Sequence, residues 1–249
     1  MTAAETLEGW FALHDLRRLD QAAWVRLDQS HRDKAIEELS DLLAGAEAGS
    51  GPDTGLSLTY QVIGHKADLL TLHLRPEVSQ LQELERNLDR TAFGVSSTKP
   101  YSYFSVIEVS RHAAPEGTAE NVEGSPYIQA RLFPTLPEHS RYVCFYPMSK
   151  RRGEADNWYL LDRGERADLM RDHGRTGRKY AGKVSQIVTG SIGLDDWEWG
   201  VTLFADDPLQ FKKLVYEMRF DDVSARFAEF GHFYVGQRLL AQDLAKWLR

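Results

Sequence analysis

What most constrains this chain is a repeated order of secondary-structure signals, βαββαβ twice within 249 residues. Residues 8–15 (EGWFALHD) predict a strand, and residues 20–47 a helix with Ile36, Leu39 and Leu43 on one face. Strands at 56–63 and 68–74 flank Gly64, His65 and Lys66, the signature of a hairpin turn. A helix after Pro76 carries Val78, Leu81, Leu84 and Leu88 along one stripe, and a strand at 101–109 completes the first unit. The second half repeats this order with a strand at 142–148, a helix at 163–172 and strands at 184–191 and 197–205. A further helix begins at Pro208, where proline costs no hydrogen bond, with Asp206 placed to cap it. Phe211, Leu214, Val215 and Met218 mark its buried face, and a strand at 232–236 ends the unit.

Recurrent hairpin spacings favour antiparallel pairing over a parallel α/β sheet. The expected class is therefore α+β: a duplicated ferredoxin-like fold (a dimeric α+β barrel within one chain), two antiparallel sheets with helices outside. The expected division is an N-terminal half at 1–110, a connection at 111–140, and a C-terminal half at 141–249 that carries the functional site. Pro115, Pro126, Pro134 and Pro137 in the connection argue against a continuous helix or a central strand there.

Composition narrows the function. A net charge of -7 and a pI near 5.6 exclude a general nucleic-acid or anionic-membrane binder, because phosphate binding needs a basic surface. The single cysteine, Cys144, excludes an internal disulfide and a cysteine-rich metal site. The N-terminus shows no basic segment followed by an apolar run, and no apolar stretch approaches a membrane span, so the cytoplasm is the expected compartment. Glycine-rich phosphate loops, GxSxG, CxxC and HExxH are all absent, which turns attention away from nucleotide, serine-hydrolase and zinc chemistry.

Two segments carry chemically suggestive residues. In an extended CFYPMSKRR at 144–152, Tyr146, Met148 and Lys150 face one way. A phenol can supply a proton or a radical, and an ammonium can hold a carboxylate. The same pattern also fits a strand end with a core tyrosine and a solvated basic tail. In ERADLMRDHG at 165–174, His173 shares a helix face with Leu169, and Gly174 reads as the helix stop. A histidine there can ligate haem iron or complement the negative end of the helix dipole. Gln186 alternates with Val184 and Val188 and fits an exposed strand position. Ser224 fits a helix cap or an anion contact, and Trp197, Trp199 and Phe204 read as core.

Taken as longer runs, these segments resemble one family. YPMSKRR at 146–152, NWYLL at 157–161 and ERADLMRDHGRTGRKY at 165–180 look like the coproheme decarboxylase branch of the chlorite dismutase-like superfamily. GLDDWEWGVTLF at 193–204 and VYEMRFDDVSARFAEFG at 215–231 do so too, with LEGWFALHDLR at 7–17 and YQVIGHKADLL at 60–70 a weaker match. The resemblance implies iron-coproporphyrin III (coproheme) as both substrate and redox centre, hydrogen peroxide as oxidant, and haem b as product. It implies a tyrosyl radical that takes a hydrogen atom from a propionate, after which carbon dioxide leaves, in two rounds. By residue match, His173 is the iron ligand, Tyr146 the radical carrier and Lys150 the group beside the reacting propionate. Gln186 lies on the distal side, where chlorite dismutases carry an arginine. Arg131 and Ser224 hold other propionates together with Pro147, Met148 and Ser149. A homopentamer and a transient contact with a coproporphyrin ferrochelatase are also implied, with no nucleic acid or membrane partner. The rival readings are chlorite dismutation or haem peroxidation, against which Gln186 counts, and a non-catalytic haem carrier or sensor, against which Tyr146 with Lys150 counts.

Overall fold

The structure, a computed structural model, describes residues 5–110 and 124–249. Its first half runs β1 (Thr6–Leu19), α1 (Gln21–Arg26), α2 (Gln29–Ala48), β2 (Leu56–Val62), β3 (Leu69–Arg75), α3 (Val78–Arg90), α4 (Ala92–Val95) and β4 (Ser97–Ser110). After α5 (Pro126–Leu132) the second half runs β5 (Tyr142–Lys150), α6 (Arg163–Arg178), β6 (Ser185–Gly190), β7 (Trp199–Ala205) and α7 (Leu209–Met218). It ends with α8 (Asp222–Phe227), β8 (Ala228–Phe230), β9 (Tyr234–Arg238) and α9 (Leu244–Leu248).

The duplication is visible in the pairing. Strands order as β4-β1-β3-β2 in one half and β6-β7-β5-β9 in the other, the same ferredoxin-like arrangement read in opposite directions. The two four-stranded sheets then join at both edges. Val106 and Ile107 of β4 pair with Gly190 and Thr189 of β6, and residues 60–62 of β2 pair with residues 236–238 of β9. The expected pair of antiparallel sheets is thus one continuous ring, in which each of the eight strands has a partner on both sides over at least part of its length. Short β8 lies outside the ring and continues beside β5 where β9 stops.

Alternation along the strands sorts the core. Leu16, Leu72, Tyr103, Phe145, Phe204 and Tyr234 fill the interior, and α5 adds Ile128 and Leu132 to the same cluster. That approach fixes Gly9: a Cβ there would stand 2.1 Å from the Leu132 carbonyl oxygen. Gly64 takes φ +96 in the β2–β3 hairpin, which meets the expectation of a turn at that point. Outside the ring, α2 seals the first half with Ala35, Ile36, Leu39, Leu43 and Ala46, all buried.

Several local expectations are corrected. The helix expected over 20–47 is broken at Leu27, and α2 restarts with the Asp28 carboxylate accepting from the His31 amide at 2.9 Å. The helix expected to stop at Gly174 runs on to Arg178, so His173 sits within α6 and not at its dipole end. Asp207 accepts from the Leu209 amide at 3.0 Å, while Asp206 faces His139 instead. Pro126 occupies the first turn of α5, where a missing amide hydrogen costs nothing, so the connection holds a short helix. The rest of that connection up to residue 123, including Pro115, lies outside the described residues. Among the described residues, no helix is long and apolar enough to cross a membrane.

Candidate functional site

The outer face of the second half differs from that of the first. Register places Gln186, Leu203 and Cys144 in one row, Val188, Val201 and Tyr146 in the next, and Gly190, Trp199 and Met148 in a third. Paired residues share a face, so Tyr146, Met148, Gln186 and Val188 all look outward beneath α6 and α7. Gln186 is exposed although its strand is flanked on both sides. Helix α6 has no buried residue; Arg166, Leu169, His173 and Gly177 form only a half-buried stripe, continued past its end by Tyr180. An apolar floor with Gln186 and Val188 left uncovered, beside a helix that buries no residue, is a face that would take an apolar, plate-like ligand in a slot beneath α6.

Tyr146 is 6% exposed, stacked on Phe233 with ring centroids 4.4 Å apart and flanked by Phe230 at 5.7 Å. Burial chiefly, and then the neighbouring Cys144 thiol, push its phenol above the ordinary tyrosine value, with Arg219 opposing, so it keeps its proton at neutral pH. Among the described residues its hydroxyl takes no hydrogen bond. Cys144, behind it, is buried with its thiol pushed up to about 12 and is inert.

Lys150 is 8% exposed, with its Nζ 4.5 Å from the centre of the Trp158 ring. Burial pulls it down to about 8, against the opposing charges of Asp221 and Glu198. Among the described residues no carboxylate lies within ion-pair distance of its Nζ, so a ligand carboxylate would find an unneutralised, half-desolvated cation.

His173 is oriented from behind. Its Nδ1 donates to Asp221 Oδ2 at 2.9 Å, while Asp221 Oδ1 accepts from the Ser224 amide at 2.8 Å and caps α8. A proton held on Nδ1 leaves the Nε2 lone pair free for a metal, the usual second partner of a ligating histidine. Among the described residues no cluster of three or more His, Cys, Asp or Glu could hold a bare metal ion. The donor set fits an iron whose other ligands come from a macrocycle.

Tyr146, Met148, Lys150 and Gln186 therefore share one face, and Asp221 ties His173 to Ser224. Capping of α8 falls to Asp221, and Ser224 is the capped residue. Pro147 and Ser149 point to the other side of β5. Pro147 lines a cavity of about 320 Å³ at one mouth of the barrel with Tyr101 and Trp197, and Ser149 Oγ accepts from the Glu198 amide at 3.3 Å. Arg131 lies on α5 with its guanidinium 5.7 Å from the Tyr127 ring, and no contact among the described residues joins it to the group. Sequence reasoning missed Asp221 and Glu198. The Asp-Asp-x-Ser run before α8 was a capping signal, and Glu198 stands as a lone charge between two tryptophans.

The chain is similar to proteins of a known family. The family model described as chlorite dismutase matches residues 32–239. Curated proteins from two strains of Thermus thermophilus, both named coproheme decarboxylase, are 52% identical over 247 residues, covering 98% of this chain and 95% of their own. A solved haem-binding protein from Thermus thermophilus superposes with a TM-score of 0.91 at 50% identity, covering 99% of this chain and 97% of that one. A variant chlorite dismutase from Candidatus Nitrospira defluvii gives 0.77 at 19% identity over 97% and 96%, a likeness of fold alone.

Proposed function

The chain belongs to the chlorite dismutase family, and we propose that it is a coproheme decarboxylase. It takes iron-coproporphyrin III and, with hydrogen peroxide, converts two propionates to vinyl groups, giving haem b in haem biosynthesis. Each round turns one propionic acid side chain and one peroxide into a vinyl group, one carbon dioxide and two waters. The observation that carries this reading is the shared outer face of β5, which offers a protonated phenol and a buried ammonium beside a half-open slot.

Bound iron supplies the oxidising equivalents that peroxide delivers. The chain's own residues do the rest. His173, its Nδ1 held by Asp221, would hold the iron through Nε2. Tyr146 holds an abstractable hydrogen because burial keeps its phenol protonated, and Phe230 and Phe233 keep water from it. Lys150 pairs with a propionate and holds a proton there, with Trp158 fixing its Nζ. Gln186, exposed on the same face, lines the slot without a charge. Met148 and Ser224 border it, and Arg131, Pro147 and Ser149 take a propionate only if ligand binding re-aims them. The same reading carries a cytoplasmic homopentamer that meets a ferrochelatase transiently, checked by the mass of the protein in solution and by crosslinking.

Addition of iron-coproporphyrin III and peroxide to the purified protein is expected to give two successive losses of carbon dioxide and hydrogen by mass spectrometry. Unchanged mass with the ligand demonstrably bound would falsify the reading. Tyr146→Phe should bind the porphyrin as well as the parent and lose at least about a hundredfold in turnover. Full turnover in that variant removes Tyr146 from its role.

A further inference from the structure

Glu198 precedes β7 and is 7% exposed, a buried carboxylate on an otherwise aromatic stretch. Its two oxygens have different tasks. Oε2 accepts from the Lys150 backbone amide at 2.6 Å, where β5 ends, and Oε1 pairs with Arg152 Nη1 at 3.1 Å. Its own backbone amide donates to Ser149 Oγ at 3.3 Å. Glu198 and the Ser149–Lys150 step are thus clasped in both directions, and the side chain that leaves this clasp is the Lys150 ammonium above Trp158. A carboxylate is costly to bury, and its one ion-pair partner among the described residues, Arg152, is 66% exposed and well solvated. A backbone amide alone can be capped by a neutral amide or hydroxyl, so the charge asks for a further reason.

We propose that Glu198 is the positioning residue for Lys150, fixing where its ammonium stands and holding it in the charged form for a ligand carboxylate. This rests on Lys150 as the propionate-facing group. Charged and titratable groups face Lys150 from each side. Asp221 comes from the α7–α8 turn, occupied with His173 and Ser224, and Glu198 from the start of β7, with Arg152 and Tyr159 against its carboxylate. Asp221 is the stronger of the two charges on Lys150 and also holds His173 and Ser224, whereas Glu198 is the carboxylate that grips the Lys150 backbone as well. Direction follows from its charge: an anion near a buried lysine offsets the desolvation that favours the neutral amine.

The test uses the full ligand-free chain labelled with [ε-13C]lysine and titrated by NMR, the Lys150 resonance being the one absent in Lys150→Met. Glu198→Gln keeps an acceptor for the Lys150 amide and removes the charge. It should lower the Lys150 titration. Arg152→Ala strips a cation from Glu198 and should move the same titration the other way, by less. Opposite shifts from two neighbouring variants are not what loosened packing produces. If Glu198→Gln does not fold, the sign of the Arg152→Ala shift decides. A Lys150 titration that is the same in the folded variants as in the parent overturns the proposal, and so does a shift of the wrong sign. In turnover, the loss of activity on raising the pH should move to lower pH in Glu198→Gln. Shifted titrations in the variants of a parent that never decarboxylates sink the functional reading and leave Glu198's hold on Lys150 intact. Decarboxylation with an unmoved titration does the reverse.

Discussion

Helices α2 and α6 hold the same place in the two repeats, each the long helix between a repeat's first and second strands, yet they do opposite things. Helix α2 drives five residues fully into the sheet beneath it, whereas α6 buries none. The strands they follow into show the same contrast. On β2 the outward Ser57 and Thr59 are each 2% exposed, while on β6 the outward Gln186 is exposed and Val188 half-covered. In both repeats polar groups lie on the outer face. In the first several pair with one another, Ser57 Oγ lying 2.8 Å from His73 Nδ1 and Arg17 Nε donating to Asp15 at 2.6 Å, while the Thr71 hydroxyl is buried without a partner among the described residues. In the second, the Tyr146 hydroxyl, Lys150 Nζ and His173 Nε2 have no hydrogen-bond partner among the described residues. One duplicated fold therefore holds one copy closed by its long helix and one left partly open.

The sharpest way to break this contrast is to truncate both helices. Leu39→Ala removes a fully buried side chain from α2 and should cost about 2–5 kcal/mol in denaturant unfolding. Met170→Ala on α6, where the side chain is 45% exposed, should stay within about 0.5 kcal/mol. Equal losses at the two positions would show that α6 is sealed as α2 is.

Acid should act on the closed copy next. Burial pulls His73 down to about 3, aided by Arg75, and does the same to His14, aided by His73. Both folded values lie below the ordinary 6.5, so only the unfolded chain takes up these protons as the pH falls. Stability from this source is complete above about 6.5 and is lost progressively towards about 3, at roughly 2 kcal/mol per histidine between pH 7 and pH 5. Denaturant midpoints measured across that range should fall, and His73→Asn should remove about half the dependence. A midpoint that stays level from pH 7 to pH 5 would mean that neither histidine is buried neutral.

How much of this could be read from residues alone follows the range of the interactions. Period-2 and period-3.6 patterns mark most of the strands and helices, and alternation alone puts Tyr146, Met148 and Lys150 on one side of β5. Closure of the ring depends on β4 meeting β6 and β2 meeting β9, pairings between distant residues that no local pattern encodes. Gly174 misled for a physical reason: glycine costs only about 1 kcal/mol inside a helix, and α6 continues through it because its capping box and its contacts with α7 and α8 outweigh that cost. Asp221 and Glu198 stayed hidden because each acts through a partner far away in sequence, His173 in one case and Lys150 in the other.

The smallest expected effect discriminates most finely, because it makes the same change in both copies. Asp28 and Asp162 are the N-caps of α2 and α6, accepting from the amides of His31 and Glu165 at 2.9 and 2.8 Å. In α6 the cap is a full box, Glu165 reaching back to the Asp162 amide at 3.2 Å. Replacing either aspartate by alanine costs about 1 kcal/mol of helix stability. In α2 that loss should be spread over the whole fold, since five core residues keep the helix from opening by itself. In α6 it should appear locally, as amide exchange around His173 that is about fivefold faster while α2 is unchanged. Affinity for iron-coproporphyrin should fall by a similar factor in Asp162→Ala, because the ligand must then order the helix that carries its histidine. Asp28→Ala should leave that affinity unaltered. If both variants instead lower the global midpoint equally and exchange around His173 does not change, α6 unfolds only with the whole molecule, and the open copy is as rigid as the closed one.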